Sequence, residues 1–258
     1  MEDRIKPLEG VRNFRDFGGY ASATGGRIKP GLLYRSGHYA EATDNDLATV
    51  SGLGIVFQAD LRRPDERDRQ PGRWQAPEVL ASDGGREMTA PHVNFLNEVE
   101  ADASRAEDWM NDYYKTAPFK DHHVELFTGW FDRLAGLDDG EAALVNCAAG
   151  KDRTGILCAL TKHVLGAAQA DIVEDYELTN AAVDIDARLP DAQKFFNEQL
   201  GKNYPADVYR PFMGVRRRYL ETALSVIDAE AGSVDAYLAD VLGVTDTMRT
   251  ALKARLVE

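Results

Sequence analysis

A cysteine and an arginine lie six positions apart in residues 145–155, and glycine and lysine stand between them. Cys147 precedes Arg153, with Gly150 and Lys151 in the interval. A guanidinium can grip two phosphoryl oxygens at once, and free backbone N–H groups at a helix N-terminus favour an anion. The same surroundings favour the thiolate, which is the nucleophilic form of cysteine. The segment therefore predicts a phosphate-binding loop that holds a nucleophile.

The chemistry predicted for such a loop is phosphoryl transfer in two steps. Charge in the transition state spreads over three equatorial oxygens, so a ring of preorganised donors is the main catalytic requirement. A covalent cysteinyl-phosphate would divide the reaction into two easier steps. The expected reaction is hydrolysis of a phosphate monoester with no metal and no other cofactor. The predicted phosphate contacts are Ala148, Ala149, Gly150, Lys151 and Thr154.

Alternatives to a phosphate loop explain fewer of the residues in this segment. An ordinary buried cysteine before a helix would not need the glycines, lysine and threonine that surround Cys147. An ATP-binding loop needs Ser or Thr after Gly-Lys, and Asp152 occupies that position. A cysteine protease or amidase using a distant histidine stays open, but it leaves Arg153 and Lys151 without a role. The histidines show no metal-ligand spacing: His38, His92, His122, His123 and His163.

Four further sequence blocks accompany the loop, at residues 13–19, 34–37, 60–66 and 171–180. They begin Asn-Phe-Arg-Asp-Phe-Gly-Gly, Tyr-Arg-Ser-Gly, Asp-Leu-Arg-Arg-Pro-Asp-Glu and Asp-Ile-Val-Glu-Asp-Tyr. Through these blocks nearly the whole chain resembles the cysteine-dependent tyrosine phosphatases, in the bacterial branch of atypical tyrosine and phosphoinositide phosphatases. The resemblance implies an α/β fold with a central sheet flanked by helices. It also implies Cys147 as nucleophile, Arg153 as phosphate clamp and Asp152 as general acid.

Several polar residues outside the loop are candidates for supporting roles. Asn146 stands where the family usually has histidine, and this departure motivates the alternative of a weak, phosphate-binding pseudophosphatase. Asp60 is a rival general acid, but Asp152 is favoured because it lies inside the loop beside the phosphate. Asp60 is then expected to hold Arg62 or to cap a turn. Arg15 is expected either to orient the loop or to fix the glycine turn that follows it.

The elements that position the loop also have sequence signals. An apolar strand is predicted at residues 142–145 and a buried helix at 156–165, which places the loop at a strand-to-helix turn. Strands at 31–36 and 53–60, with a helix at 44–50 between them, predict a parallel pair. The remaining predicted helices cover residues 127–134, 216–229, 233–242 and 246–256. This order predicts an α/β fold with a central, mostly parallel sheet flanked by helices.

Residues 67–121 differ from the rest, because prolines, glycines and acidic residues interrupt their apolar positions. They are expected to form a helical insertion over the site, either a lid that excludes water or a surface elaboration with its own small core. The apolar positions are Trp74, Met88, Val93, Phe95, Leu96, Trp109, Met110, Tyr113 and Tyr114. The 258 residues are 44% hydrophobic and contain no Ser-rich or Pro-rich linker, so a single domain over 1–258 is expected.

Net charge limits the expected partners. A net charge of −13 opposes general attraction to nucleic acid or an anionic membrane. The expected substrate is a phosphorylated protein or a phospholipid headgroup, drawn by the local charge of Lys151 and Arg153. Cys158 lies among apolar residues and is expected to be inert. No apolar signal segment begins the sequence and no run approaches the ~20 residues that span a bilayer, which predicts a cytoplasmic protein without integral membrane association.

Overall fold

The computed structural model describes residues 4–87, 91–98 and 102–258. Five strands in these residues form one sheet in the order β1-β2-β5-β3-β4. Only β1 runs antiparallel to its neighbour, β2, and the other three adjacent pairs are parallel. The prediction of a mostly parallel sheet flanked by helices is confirmed. The strands are β1 (Arg15–Asp16), β2 (Leu33–Ser36), β3 (Ile55–Asp60), β4 (Glu78–Ala81) and β5 (Ala142–Asn146).

Helices make up most of the remaining described chain. A 3-10 turn at Ala117–Phe119 precedes α5, and a π-helical stretch at Tyr237–Val241 follows α11. The helices are α1 (Asp44–Ser51), α2 (Pro64–Arg69), α3 (Pro91–Glu98), α4 (Ala103–Thr116), α5 (Asp121–Ala135), α6 (Asp152–Val164), α7 (Gln169–Ala182), α8 (Ile185–Leu200), α9 (Ala206–Met213), α10 (Arg217–Ala231), α11 (Val234–Ala236) and α12 (Asp246–Leu256).

The central strand β5 contributes to a hydrophobic core on each face of the sheet. Ala143 and Val145 belong to the larger core, which includes side chains of α5, α6, α7, α10 and α12. Ala142 and Leu144 belong to a smaller core with the N-terminal segment and α1. This alternation follows from the two-residue period of a strand. Burial on both faces explains why β5 reads as a continuous apolar run.

A third apolar cluster lies outside the two sheet cores and joins α3, α8 and α9. Its buried members are Leu96, Leu189, Val208 and Tyr209. Helix α4 packs against α9 and α10. Residues 67–121 include β4, α3, α4 and the 3-10 turn. Met88, one of the predicted apolar positions of this stretch, lies outside the described residues.

Several predicted boundaries were wrong, each for a local reason. Strand β2 begins at Leu33 and β3 at Ile55, because the residues expected to start them include Gly31 and Gly54 in left-handed turns, with φ of 83° and 69°. Helix α6 begins at Asp152, four residues before the predicted start, since its first turn is polar and shows no apolar period. Strand β1 is not predicted because it has only two residues, and β4 is not predicted because most of its residues are exposed and show no buried apolar pattern.

Candidate active site

The loop after β5 lies where the carboxyl ends of β2, β3 and β5 meet. Cys147 directly follows the strand, and helix α6 begins five residues later at Asp152. Lys151 precedes the helix and its side chain does not cap the first-turn N–H groups. These amides and the helix dipole favour an anion at this position. In open α/β sheets, ligands commonly bind beyond the carboxyl ends of the strands, which is where this loop lies.

Arg153 is held by a carboxylate of helix α2. Its Nη1 donates to Glu66 Oε2 at 2.6 Å and its Nη2 to Glu66 Oε1 at 2.8 Å. Nη1 also donates to the carbonyl oxygen of Leu61 at 2.9 Å. Burial raises the pKa of Glu66, but the charge and hydrogen bonds of Arg153 outweigh it and lower the pKa to about 2. The pair is therefore ionised at neutral pH.

These bonds leave one edge of the Arg153 guanidinium available. A guanidinium has five N–H donors, and the bonds to Glu66 and Leu61 use three of them. Nε–H and the second hydrogen of Nη2 have no partner among the described residues. They lie on the same side of the planar group, which is the arrangement that binds two oxygens of a phosphate.

Gly150 gives the loop its tight path against β2. Its φ is 65°, and a Cβ there would lie 2.3 Å from the carbonyl carbon of Ser36, so only glycine fits. The Gly150 carbonyl oxygen accepts from Asn13 Nδ2 at 2.6 Å and from Arg35 Nη2 at 2.9 Å. Two buried side chains from other parts of the chain thus fix the loop backbone.

Asp175 holds the two supporting side chains in place, directly at Arg35 and through Arg15 at Asn13. Its carboxylate meets Arg15 Nε at 3.1 Å, Arg35 Nη1 at 3.0 Å and Lys162 Nζ at 2.9 Å. Burial raises the pKa of Asp175, but the three cations lower it far more, to well below the ordinary value. Burial lowers the pKa of Lys162 to about 8 although Asp175 opposes the shift. Among the described residues, Arg15 reaches the loop through two other side chains: its Nε donates to Asp175 Oδ1, and its Nη1 donates to Asn13 Oδ1.

Lys151 and Asp152 are each held by a helix that lies across the loop. Lys151 Nζ donates to the carbonyl oxygen of Phe212 at 2.8 Å, in the last turn of α9. The Asp152 carboxylate accepts from Tyr114 of α4 at 2.6 Å through Oδ1. Lys151 Nζ is also 3.5 Å from Asp152 Oδ2. In this structure the Lys151 amine is buried against the end of α9, and its contact with phosphate stays a prediction.

Asn146 faces strand β3. Its Nδ2 donates to Asp60 Oδ1 at 3.1 Å, and its Oδ1 accepts from Gln58 Nε2 at 2.9 Å. Asp60 in turn holds Arg62, with Nη2 to Oδ2 at 2.7 Å and Nε to Oδ1 at 2.9 Å. Asp60 therefore holds Arg62, which is the contact that the sequence predicts for Asp60 if Asp152 is the general acid. The Thr154 hydroxyl is buried and has no hydrogen-bond partner among the described residues.

The loop forms the floor of a cleft of about 180 Å³. Cys147, Ala148, Ala149, Lys151, Asp152 and Arg153 contribute to its lining. Aromatic side chains of the neighbouring helices form much of the rest: His92, Trp109, Tyr113, His122, His123 and Phe212. Burial lowers the pKa of His92 to about 4 and that of His123 to about 3. These histidines are neutral at pH 7, and in the described residues none hydrogen-bonds to Cys147.

Comparison with known proteins identifies the family. A family model described as the tyrosine phosphatase family matches residues 6–258. The chain belongs to the tyrosine phosphatase family. It is 33% identical over 245 residues to a protein of Cupriavidus necator provisionally named a tyrosine-protein phosphatase, covering 91% of this chain and 82% of the relative. It is 31% identical over 264 residues to the triple specificity protein phosphatase of Mycobacterium tuberculosis, covering 92% and 93%.

A third relative in this tyrosine phosphatase family is a tyrosine-protein phosphatase of Nostoc commune. It is 28% identical over 235 residues, which cover 89% of this chain and 75% of the relative. The resemblance inferred from the five sequence blocks is therefore confirmed, and the chain is a phosphatase whose substrate carries phosphate. The role of each site residue stays a prediction.

Two further observations concern the described residues as a whole. They contain no group of three or more His, Cys, Asp and Glu side chains arranged to hold a metal ion. None of their helices combines the length and apolar character needed to cross a bilayer. The expected cytoplasmic location and the exclusion of nucleic acid stay predictions.

The structure adds functional candidates that sequence reasoning did not single out. Glu66 and Asp175 lie in the quoted sequence blocks, where the sequence predicts no role for them, and Tyr114 is predicted only as an apolar position of residues 67–121. The two sequence blocks are signals that could have drawn attention to the acids. Their partners lie far away in sequence, so the contacts themselves were not readable.

Proposed function

We propose that the chain hydrolyses phosphate monoesters through a cysteinyl-phosphate on Cys147, with phosphotyrosine proteins as its main substrates. The observation that carries the proposal is the free edge of Arg153 in the cleft that Cys147 also lines. Glu66 fixes that guanidinium, so its orientation is set before substrate binds. A preorganised donor set of this kind costs no rearrangement during the reaction.

In the first step, the Cys147 sulfur attacks phosphorus and the bond from phosphorus to the leaving oxygen breaks. The loop amides and Arg153 hold the three non-bridging oxygens. The Asp152 carboxyl group gives its proton to the leaving oxygen, which departs as a neutral alcohol or phenol. The buried Thr154 hydroxyl lacks a partner among the described residues and is available to donate to the loop's anion.

In the second step, water attacks phosphorus and the sulfur–phosphorus bond breaks. The Asp152 carboxylate accepts the proton of that water, which restores the carboxyl group. Inorganic phosphate leaves and Cys147 is regenerated. No oxidant, reductant or metal is required for the atoms and charges to balance.

The cleft walls favour an aromatic leaving group. Trp109, Tyr113 and Phe212 line the cleft and can pack against the ring of phosphotyrosine. Arg63 and Lys120 also line it and supply positive charge for a more highly phosphorylated substrate. One relative is named a triple specificity protein phosphatase, so phosphoserine, phosphothreonine and phosphoinositides belong among the substrates tested.

The proposal is tested by separating turnover from anion binding in the presence of EDTA. Cys147→Ser is expected to lose turnover by more than about 100-fold while orthovanadate still binds, because the amides and Arg153 remain. Arg153→Lys is expected to lose both, since an ammonium cannot bind two oxygens in one plane. Cys158→Ala is the control. Burial raises the pKa of Cys158 to about 11, so its loss should not alter turnover.

Two outcomes would contradict the proposal. Turnover by Cys147→Ser above about one hundredth of wild type would exclude a covalent role for the sulfur. Vanadate binding by a wild-type protein that turns over no phosphate ester would favour the phosphate-binding pseudophosphatase. A panel of phosphopeptides and inositol phospholipids, assayed with the metal chelated, then ranks the substrate classes.

A further inference from the structure

Two buried tyrosines from separate helices form a hydrogen-bond chain that ends on Asp152. Tyr114 of α4 donates to Asp152 Oδ1 at 2.6 Å, and its oxygen is also 2.6 Å from the hydroxyl oxygen of Tyr176 in α7. Both rings are almost completely buried. Asp152 itself keeps 22% of its side chain exposed in the cleft. The chain thus runs from the protein interior to a partly exposed carboxylate.

The direction of the chain follows from counting protons. A carboxylate can only accept, and each phenol has one proton to donate. Tyr114 therefore donates its hydrogen bond to Asp152, and Tyr176 donates its hydrogen bond to the Tyr114 oxygen. Burial raises the pKa of both tyrosines well above the ordinary value, and the Asp152 charge adds to the shift. Both phenols thus keep their protons across the pH range of the reaction, and each bond polarises the next.

We propose that Tyr114 and Tyr176 are positioning residues for Asp152, fixing its Oδ1 so that Oδ2 carries the proton given to the leaving group. The proposal rests on the role of Asp152 as general acid set out above. With Oδ1 occupied by the Tyr114 proton, Oδ2 is the oxygen left to be protonated. Lys151 Nζ lies 3.5 Å from Oδ2.

Other side chains also lie near the Asp152 carboxylate. His92 of α3 and Tyr113 of α4 interact with its charge, and both line the cleft. Tyr219 of α10 stacks on Tyr114 with ring centroids 5.5 Å apart. Tyr219 therefore contacts the Tyr114 ring, and its hydroxyl takes no part in the hydrogen-bond chain to Asp152.

Tyr114 comes from the 67–121 stretch, so the proposal gives this stretch a role in the reaction. Helix α4 belongs to this stretch, which the sequence predicts to be either a lid over the site or a surface elaboration. Through Tyr114 it also supplies the group that sets the acid's orientation. Removing the Tyr114 hydroxyl while keeping the ring should therefore affect proton transfer specifically, without opening the cleft.

The matched variants are Tyr114→Phe and Tyr176→Phe, with Tyr219→Phe as control. The Tyr219 hydroxyl is buried and has no hydrogen-bond partner among the described residues. Tyr219→Phe therefore reports only the effect of losing a buried hydroxyl in this core. The substrates are phenyl phosphate, which has a poor leaving group, and 2,4-dinitrophenyl phosphate, which has a good one. Thermal unfolding of each variant reports whether the core remains intact.

Tyr114→Phe is expected to lower kcat for phenyl phosphate about 10-fold and for 2,4-dinitrophenyl phosphate less than about 2-fold, because only the first leaving group needs a proton. Tyr176→Phe should produce a smaller effect in the same direction, and Tyr219→Phe should behave as wild type.

A double variant decides whether the effect passes through Asp152. In the Asp152→Asn background, Tyr114→Phe should add no further leaving-group selectivity. Equal losses on both substrates, or the same selectivity without Asp152, would each overturn the proposal. If the proposed cysteinyl-phosphate mechanism is itself wrong, Cys147→Ser retains turnover. A Cys147-dependent enzyme indifferent to Tyr114→Phe would refute the positioning role alone.

Discussion

Glu66 and Arg153 lie 87 positions apart in the chain and meet in a two-point ion pair beside the loop. Glu66 also accepts from the backbone N–H of Arg63 at 2.8 Å, so the carboxylate is itself fixed at the start of α2. The arginine edge that remains free is therefore aimed by helix α2. This relationship makes Glu66 a positioning residue for phosphate binding.

Replacing Glu66 by Gln should lower kcat/KM about 10- to 100-fold, because a misplaced guanidinium loses bidentate contact with the phosphoryl oxygens. The vanadate dissociation constant should rise in parallel. Asp65→Asn is the matched control, since Asp65 lies on the same helix and pairs with Arg63 and Arg69 but not with Arg153. Similar losses in both variants would mean that α2 matters only as a structural element.

The same ion pair should contribute to the pH dependence of stability. The pKa of Glu66 falls from an ordinary 4.5 to about 2 in the folded protein. The stabilisation, about 3 kcal/mol, is complete above the unfolded pKa and is lost as pH falls through the folded value. The difference in unfolding free energy between wild type and Glu66→Gln, from urea denaturation, should shrink by more than half between pH 7 and pH 3. A constant difference would show that the pair adds no ionic stabilisation.

The position of the loop could be predicted because its signals are local. An apolar run before Cys147 and a buried helical pattern after it placed the loop at a strand-to-helix turn, as found. The start of α6 was less readable, since Asp152 and Arg153 carry no apolar period. Their place on the first helical turn emerges only from the backbone.

The supports of the loop could not be predicted because each joins distant parts of the chain. Asp175 meets Arg15 across 160 positions, and Tyr114 meets Asp152 across 38. Hydrophobic periodicity reports which face of an element is buried, but it does not identify a polar partner on that face. Tyr114 shows the difficulty, since its ring fits an apolar position while its hydroxyl reaches the loop.

Gly150→Ala should disrupt the loop, whereas Gly140→Ala should not. Both glycines have positive φ, so both variants pay the conformational penalty of about 1–2 kcal/mol. Only at Gly150 would the new methyl meet backbone, 2.3 Å from Ser36, while Gly140 has nothing within 4 Å. Thermal unfolding should detect both, but only Gly150→Ala should also lose vanadate binding. Retained binding would mean that the loop can move away from β2 without cost.

Asn146 does not direct its side chain to the loop that follows it. Both of its side-chain hydrogen bonds go to β3, to Asp60 and Gln58, and the residue is completely buried. The family's usual histidine at this position motivated the pseudophosphatase alternative. The observed contacts instead give Asn146 a place in the pairing of β5 with β3, and this leads to a distinct expectation for its variants.

Asn146→Ala should cost about 1–3 kcal/mol of stability, because the buried Gln58 amide loses its acceptor. The rate at which iodoacetamide alkylates Cys147 at pH 7 should change less than about 3-fold, since the loop amides, the helix dipole and Arg153 stay in place. Asn146→His should likewise leave alkylation within that range, at a similar cost for the larger ring in a filled site. Both are measured in a Cys158→Ala background. An alkylation rate that falls more than about 10-fold in Asn146→Ala would show that the amide acts on the sulfur. Wild-type alkylation no faster than that of a free cysteine would instead make the phosphate-binding pseudophosphatase the better account.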